Sequence, residues 1–422
     1  IAVIKNNVKK LFQVNGKWLW VAVDVGKVKN TGYIRFPDGR EVEPFEFSNT
    51  QAGFEQLWGR IEQAQRVSGW LAVVVGLEST GPYGEPLVHY LRYKPVRLVQ
   101  VNTMHTKRLK ELVGNSPHKS DRKDPRVIAD IMALGHALSL VVPQGATAQL
   151  RRLTHARERA MQQRTVWLNQ LGQLVFVLFP EFLQVLPDVK TKTARFLLRQ
   201  YPRPQDVAQL GLEHLTVMMR TVSRGKLGVD RARALYQAAR DSVGVREGQQ
   251  GLLCELSHLL DMLAAGEAFI GRLEQHMSAL LEEVPSSTYL LSIKGVGRVT
   301  VAGLLGEVGD FEQFGTIGRI TKLAGLDLFE ISSGQHQGQR HISKRGRALM
   351  RKILFFAALN VVRQDGILHD TYQRYCSRGM AKKKALVAIS RKLLGIMFAL
   401  VRDHRHYVHN YTRAQPLLKQ AA

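Results

Sequence analysis

Acidic residues are in short supply in this chain: 35 Asp and Glu stand against 60 Lys and Arg, a formal charge of +25 at pH 7 over 422 residues. A folded protein tolerates that self-repulsion most readily beside a polyanion, so DNA or RNA is the expected partner. Cysteine is nearly missing, and Cys254 and Cys376 lie far apart without a Cys-x-x-Cys or a paired-histidine spacing. That excludes a disulfide framework and a zinc site of ordinary spacing, and it fits a reducing compartment. No segment reaches the roughly 18 apolar residues of a spanning helix, and the opening stretch Ile1-Ala-Val-Ile-Lys-Asn6 has no long apolar signal core. The expectation is a cytoplasmic protein with no membrane role. Gly-x-Ser-x-Gly and Gly-Lys-Ser/Thr are absent, and Thr300 breaks the Gly-x-Gly-x-x-Gly pattern that starts at Gly295. A hydrolase elbow, a P-loop and a dinucleotide fingerprint are therefore excluded.

The chain is 45% hydrophobic and long enough for two or three domains with proper cores. Residues 18–25, 31–36 and 41–47 read as a strand meander turning at Pro37-Asp-Gly39. A helix over 50–66, a strand ending at Glu78, a helix over 83–93, a strand over 96–101 and a short basic helix over 103–112 follow, the last carrying Lys107 and Arg108. This order predicts a mixed α/β sheet with helices on its faces. Asp24 closes the apolar run that begins at Trp18, Glu78 closes the run that begins at Leu71, and Asp121 and Asp124 stand in Lys119-Ser-Asp-Arg-Lys-Asp124. Buried strands deliver side chains to the edge where α/β folds do chemistry. Oxygen-only ligands there suit magnesium or manganese, and two such ions about 4 Å apart serve phosphoryl transfer. Lys119, Arg122 and Lys123 would meet phosphates beside that site. Asp124 before Pro125 also fits a helix N-cap, which leaves one carboxylate oxygen free.

From about Gln149 the text turns helical. Leu256, Leu259, Leu263, Gly266, Ile270, Leu273, Met277, Leu280 and Val284 alternate in steps of three and four, a coiled-coil seam. The seam fits a dimer contact or a long core helix, with residues 150–179 as a second helix able to pack on it and a polar, proline-containing excursion over 187–245. A third part, rich in glycine and base, begins near Pro285. Its Lys294-Gly-Val-Gly297, followed by Arg298, resembles a helix-hairpin-helix loop whose glycines (Gly295, Gly297) let N–H groups approach a phosphate, and equally a plain interhelical turn. Ser332 and Ser333 precede Gly334 in a polar segment, with Arg340, Lys344, Arg345 and Arg347 just beyond. A serine there is a candidate nucleophile, although serine before glycine is also ordinary turn chemistry. Apolar helices are expected over 348–362 and 383–401. The domains predicted are 1–148, 149–284 and 285–422.

Asp24-Val-Gly-Lys27, Glu78-Ser-Thr-Gly-Pro-Tyr-Gly84, Lys119-Ser-Asp-Arg-Lys-Asp124, Ala324-Gly-Leu326, Ser333-Gly334 and Ile342-Ser-Lys-Arg-Gly346, in that order, resemble the DEDD transposases of the insertion-sequence one-hundred-and-ten family. The resemblance implies an α/β ribonuclease H-like N-terminal domain of the Holliday-junction-resolvase type, a helical coiled coil, and a mainly α-helical C-terminal transposase domain. It implies that Asp24, Glu78, Asp121 and Asp124 bind Mg2+ or Mn2+ and that Ser333 joins DNA through a phosphoserine link. Its partners would be target and donor DNA and a noncoding guide (bridge) RNA, in a prokaryotic, nucleoid-associated homo-oligomer, dimer to tetramer, with the acids of one subunit meeting the serine of another. Two departures stand out. The family pattern continues Ser-Gly-Gly-Lys where this chain has Ser333-Gly-Gln-His-Gln-Gly338, which leaves the register open between Ser332 and Ser333, and Pro125 stands where a small residue is common. A metal-dependent junction nuclease using water with the same four acids, and a nucleic-acid-binding scaffold with a dead site, are the rival readings.

Overall fold

The computed structural model describes residues 18–69, 71–78, 81–113, 124–330 and 340–409. Asp121, with Lys119, Arg122 and Lys123, and both Ser332 and Ser333 lie outside them. The chain forms two compact units, Ile1–Val142 with Phe311–Leu323, and Pro143–Asp310 with Ala324–Ala422.

The first unit follows the expected order: β1 (Trp18–Asp24), β2 (Lys29–Arg35), β3 (Glu41–Ser48), α1 (Gln51–Val67), β4 (Ala72–Glu78), α2 (Glu85–Leu91), β5 (Val96–Val101), α3 (Thr103–Val113) and α4 (Asp124–Ala133). A two-residue strand, β6 (Leu138–Ser139), adds an edge that the sequence reading lacked. The sheet runs β3-β2-β1-β4-β5-β6, with β1, β4 and β5 parallel and β2, β3 and β6 antiparallel to their neighbours. Local chemistry sets the boundaries. Gly39, at φ +88°, lets the chain turn back so that the Phe36 N–H reaches the Arg40 carbonyl at 2.8 Å. The Thr50 hydroxyl accepts from the Gly53 N–H at 3.3 Å and starts α1.

Strand alternation divides the core in two. Leu19, Val21 and Val23 pack with Phe54, Leu57, Ile61 and Leu87 on one face. Trp20, Ala22, Tyr33 and Val74 pack with Ile128 and Met132 of α4 on the other. A Cβ at Gly76 would stand 2.1 Å from the Met132 sulfur, so glycine is what lets α4 lie close against β4.

The second unit is helical: α5 (Gly145–Leu178), α6 (Phe182–Val185), α7 (Lys192–Gln200), α8 (Pro204–Leu210), α9 (Leu212–Val222), α10 (Val229–Arg240), α11 (Gln249–Leu280), α12 (Ser286–Leu291) and α13 (Arg298–Val308). Residues 311–323 belong to the first unit and carry nearly all of α14 (Ile317–Ala324); the second unit resumes with the short strands β7 (Leu328–Phe329) and β8 (His341–Ile342), then α15 (Ala348–Val361), α16 (His369–Ser377) and α17 (Lys382–Arg402). The heptad residues Leu256, Leu259, Leu263, Ile270, Leu273 and Met277 are buried. Their partner is α5, which runs antiparallel: Arg157 pairs with Glu274 and Arg164 with Glu267, each at 2.7 Å, and Trp167 covers Gly266. The seam is thus filled within the chain, which corrects its reading as a dimer contact. Each fully buried leucine there contributes about 1.5–3 kcal/mol relative to exposure.

The excursion over 187–245 is also corrected. Its helices turn Ala194, Leu197, Leu198, Val207, Leu215, Met219 and Leu235 into the same core as the seam leucines. Helix α13 lies against the α5 backbone, where a Cβ at Gly306 would stand 2.7 Å from the Arg151 nitrogen. Among the described residues no helix is long and apolar enough to cross a membrane.

Candidate functional site

Strands β1 and β4 pair in parallel up to Val23 opposite Leu77. The next residue on each is an acid, Asp24 and Glu78, so two carboxylates leave neighbouring strands at the same level. Alternation puts both on the face of Ala22 and Gly76, the face covered by α4, which begins at Asp124. The Thr106 hydroxyl, 2% exposed on α3, lies 2.9 Å from Glu78 Oε1 and 2.8 Å from the Thr103 carbonyl. This threonine holds one Glu78 oxygen in place. Hard oxygen donors side by side, one oriented by a buried hydroxyl, are the donor set that a magnesium- or manganese-sized ion takes. Among the described residues no third acid, histidine or cysteine completes a cluster with them. Asp121 lies outside those residues, and for Asp124 the structure describes the backbone at the head of α4.

The basic residues fall into three groups. Lys107 and Arg108 are exposed on α3, immediately after Thr106. In the second unit, Lys294-Gly-Val-Gly297 joins α12 to α13 as a tight hairpin in which Gly295 takes φ +92°, a conformation that favours glycine. Lys294 there pairs with Asp365 at 2.8 Å, while Arg298 donates to the Ser278 carbonyl at 2.8 Å and to Glu282. Around the serine-bearing segment, Lys344 and Arg345 are exposed and Arg340 pairs with Glu330 at 2.9 Å.

Arg347 differs from its neighbours. Its side chain is 18% exposed, donates to the Glu307 carbonyl, and is turned toward the Glu307 carboxylate rather than toward solvent. Burial pushes the Arg347 guanidinium down to about 10, with Arg151 adding to the fall and Glu307 opposing it. Reading Arg347 as a surface contact for phosphates is therefore corrected to an inward-facing cation. Glu307, 1% exposed, sits in an unbroken buried run from Val301 to Val308. Sequence reasoning missed it, although a lone acid in so apolar a stretch must have partners to be ionised there.

Residues 21–180 match a transposase family, that of the DEDD transposases of IS110, and residues 287–373 match the family described as "Transposase IS116/IS110/IS902 family". Along 94% of its length the chain is 24% identical to the "Insertion element IS110 uncharacterized 43.6 kDa protein" of Streptomyces coelicolor, covering 97% of that relative. It is 24% identical to the "Transposase for insertion sequence element IS1111A" of Coxiella burnetii over 82% of this chain and 84% of the relative. A shorter match, 30% identical over 33% of this chain and 45% of the relative, is to the "Pilin gene-inverting protein" of Moraxella lacunata. Two family matches in the expected order, on top of paired strand-end acids, lead to one conclusion: the chain is a DNA transposase of the IS110 family of DEDD transposases.

Proposed function

We propose that this transposase is an RNA-guided recombinase that holds magnesium or manganese on Asp24, Glu78, Asp121 and Asp124 and uses Ser333 as its nucleophile. The observation that carries the reading is the pairing of Asp24 and Glu78 at the same level of adjacent parallel strands, with Thr106 orienting Glu78. An antiparallel β1–β3 meander followed by parallel β4 and β5 supports a ribonuclease H-like first unit of the junction-resolvase type. When bound, the ion supplies charge neutralisation at the reacting phosphate and a lower pKa for the attacking oxygen. The carboxylates hold and orient; Lys119, Arg122 and Lys123 neutralise the neighbouring phosphates. The Ser333 Oγ bonds to phosphorus as the bond from phosphorus to the departing deoxyribose oxygen breaks, the serine proton passing to solvent and the deoxyribose oxygen gaining one. A deoxyribose hydroxyl of the exchanged strand then reverses the step and frees the serine, so the backbone is rejoined without an external energy source.

In this reading sequence choice rests on base pairing between a guide RNA and the target and donor DNA, while the protein supplies grip and chemistry. The formal charge of +25 and the exposed Lys107, Arg108, Lys344 and Arg345 support simultaneous binding of RNA and DNA. The working assembly is a tetramer.

The test is a denaturing gel after incubation of the protein with magnesium, co-purified RNA and a supercoiled plasmid bearing the element junction. A protein–DNA adduct is expected, lost in Ser333→Ala and retained in Ser332→Ala. Nicked DNA without an adduct, indifferent to Ser333→Ala but abolished by Asp24→Ala, would instead establish a nuclease that uses water.

A further inference from the structure

Residues 331–339, which carry the candidate serine, are bracketed by a hairpin stem whose base is tied in layers. Leu328 pairs with Ile342 and Phe329 with His341. Below them the Ser343 N–H reaches the Asp327 carbonyl at 2.8 Å, and the Lys344 N–H reaches the Gly325 carbonyl at 3.0 Å. Arg351 Nη1 donates to the Ala324 and Gly346 carbonyls, both at 3.0 Å, and so clamps the outgoing and returning chains together. Gly325 admits this closure: at φ +65°, a Cβ would stand 2.8 Å from Arg351 Nη1 and 2.9 Å from the Gly346 nitrogen.

What the stem is fixed to lies one residue further on. Arg347, the residue before α15, donates to the Glu307 carbonyl, and its Nε stands 3.8 Å from Glu307 Oε2. Glu307 is itself gripped from α5, with His155 Nε2 at 2.7 Å from Oε1 and Arg151 Nη1 at 3.2 Å from Oε2. Close packing at Gly306 brings α13 within reach of those α5 side chains. A buried ionic cluster is an expensive way to stabilise a core, because hydrophobic side chains of like volume serve as well or better. The best-attested return is a defined register. Here the register is that of the hairpin base against the α5–α13 pair.

We propose that Glu307, acting through Arg347, is a positioning residue that sets where the β7–β8 stem on either side of residues 331–339 stands, and thereby governs the rate of the serine's attack on the phosphodiester. This rests on the serine reading above. A misplacement of about 1 Å costs on the order of 100-fold in rate, so the expected effect falls on the chemical step and leaves DNA binding intact.

The experiment compares wild-type protein, Glu307→Gln, Arg347→Lys and the pair Glu307→Gln/Arg347→Met, each with the guide RNA and junction plasmid. The readouts are adduct formation rate, DNA affinity, thermal unfolding, and hydrogen exchange across residues 326–343. Adduct formation about 100-fold slower in both single variants, with DNA affinity within about threefold of wild type and faster exchange in 326–343, is expected. The paired variant leaves no unmatched charge at 307 or 347, so its unfolding temperature should recover while its adduct rate does not. Wild-type adduct rates in Glu307→Gln and Arg347→Lys would overturn the proposal, and so would a paired variant that regains rate together with stability. If wild-type protein forms no adduct, the serine reading fails. Hydrogen exchange then decides the anchoring: unchanged protection of 326–343 in Glu307→Gln overturns it, and lost protection confined to that stem upholds it.

Discussion

Replacing Thr106 by valine keeps the side chain's volume and removes only its hydroxyl, which stands 2.9 Å from Glu78 Oε1 and 2.8 Å from the Thr103 carbonyl. Glu78 is half-exposed and can regain water, and the Thr103 carbonyl lies in the first turn of α3, so the loss of stability should be about 0.5–1.5 kcal/mol. In the proposed reading the larger consequence falls on binding of the ion. A hydrogen bond to a charged carboxylate is worth about 1.5–3 kcal/mol, and loss of a residue that orients a metal ligand typically lowers metal affinity about 10–100-fold. These agree, since a tenfold change is about 1.4 kcal/mol. The assay is plasmid cleavage as a function of magnesium or manganese concentration. Thr106→Val should need about 10–100-fold more metal for half-maximal rate and approach the wild-type rate at saturation. An unchanged metal requirement would refute the role given to Thr106, and a lowered plateau with unchanged requirement would place it in the chemical step.

Three further outcomes follow from the packing. Gly76→Ala puts a Cβ 2.1 Å from the buried Met132 sulfur and should destabilise the first unit by about 1–3 kcal/mol in urea unfolding. Leu263→Ala, at a fully buried seam position packed against α5, should cost about 2–5 kcal/mol, read from urea unfolding at one fixed protein concentration; a cost near zero would contradict that packing. Burial pushes the Glu307 carboxyl up, but the His155 hydrogen bond and the Arg151 and Arg347 charges outweigh it and hold the group below its ordinary 4.5. A carboxyl lowered on folding adds stability above its unfolded pKa and loses it as pH falls through the folded value. The second unit should therefore weaken on acidification below about 4.5, more steeply in wild type than in Glu307→Gln, as read by urea midpoints against pH.

The first unit was legible because its signals are local. Strand alternation at Leu19, Val21 and Val23, the Thr50 cap and the Pro37-Asp-Gly39 turn each need only neighbouring residues to be read. Strand β6 was not, because two residues carry no period. Helices α7 to α10 read as a polar excursion because each buries only a narrow stripe, such as Ala194, Leu197 and Leu198, beneath a wide polar face. Helix α16 escapes for the same reason, Thr371 being its one buried residue. At the site, Asp24 and Glu78 stood out as acids closing apolar runs. Thr106 and the inward turn of Arg347 did not, because a threonine in a basic helix and an arginine in a basic loop acquire their meaning only from partners 28 and 40 residues away.

The most direct test of the central claim is magnesium-dependent cleavage of the junction plasmid by Asp24→Asn and Glu78→Gln, with circular dichroism confirming that both fold. Each substitution keeps the side chain's shape and removes one ligand charge, so both should lose cleavage while still binding nucleic acid. Wild-type cleavage by either variant would contradict a metal site built on the paired ends of β1 and β4.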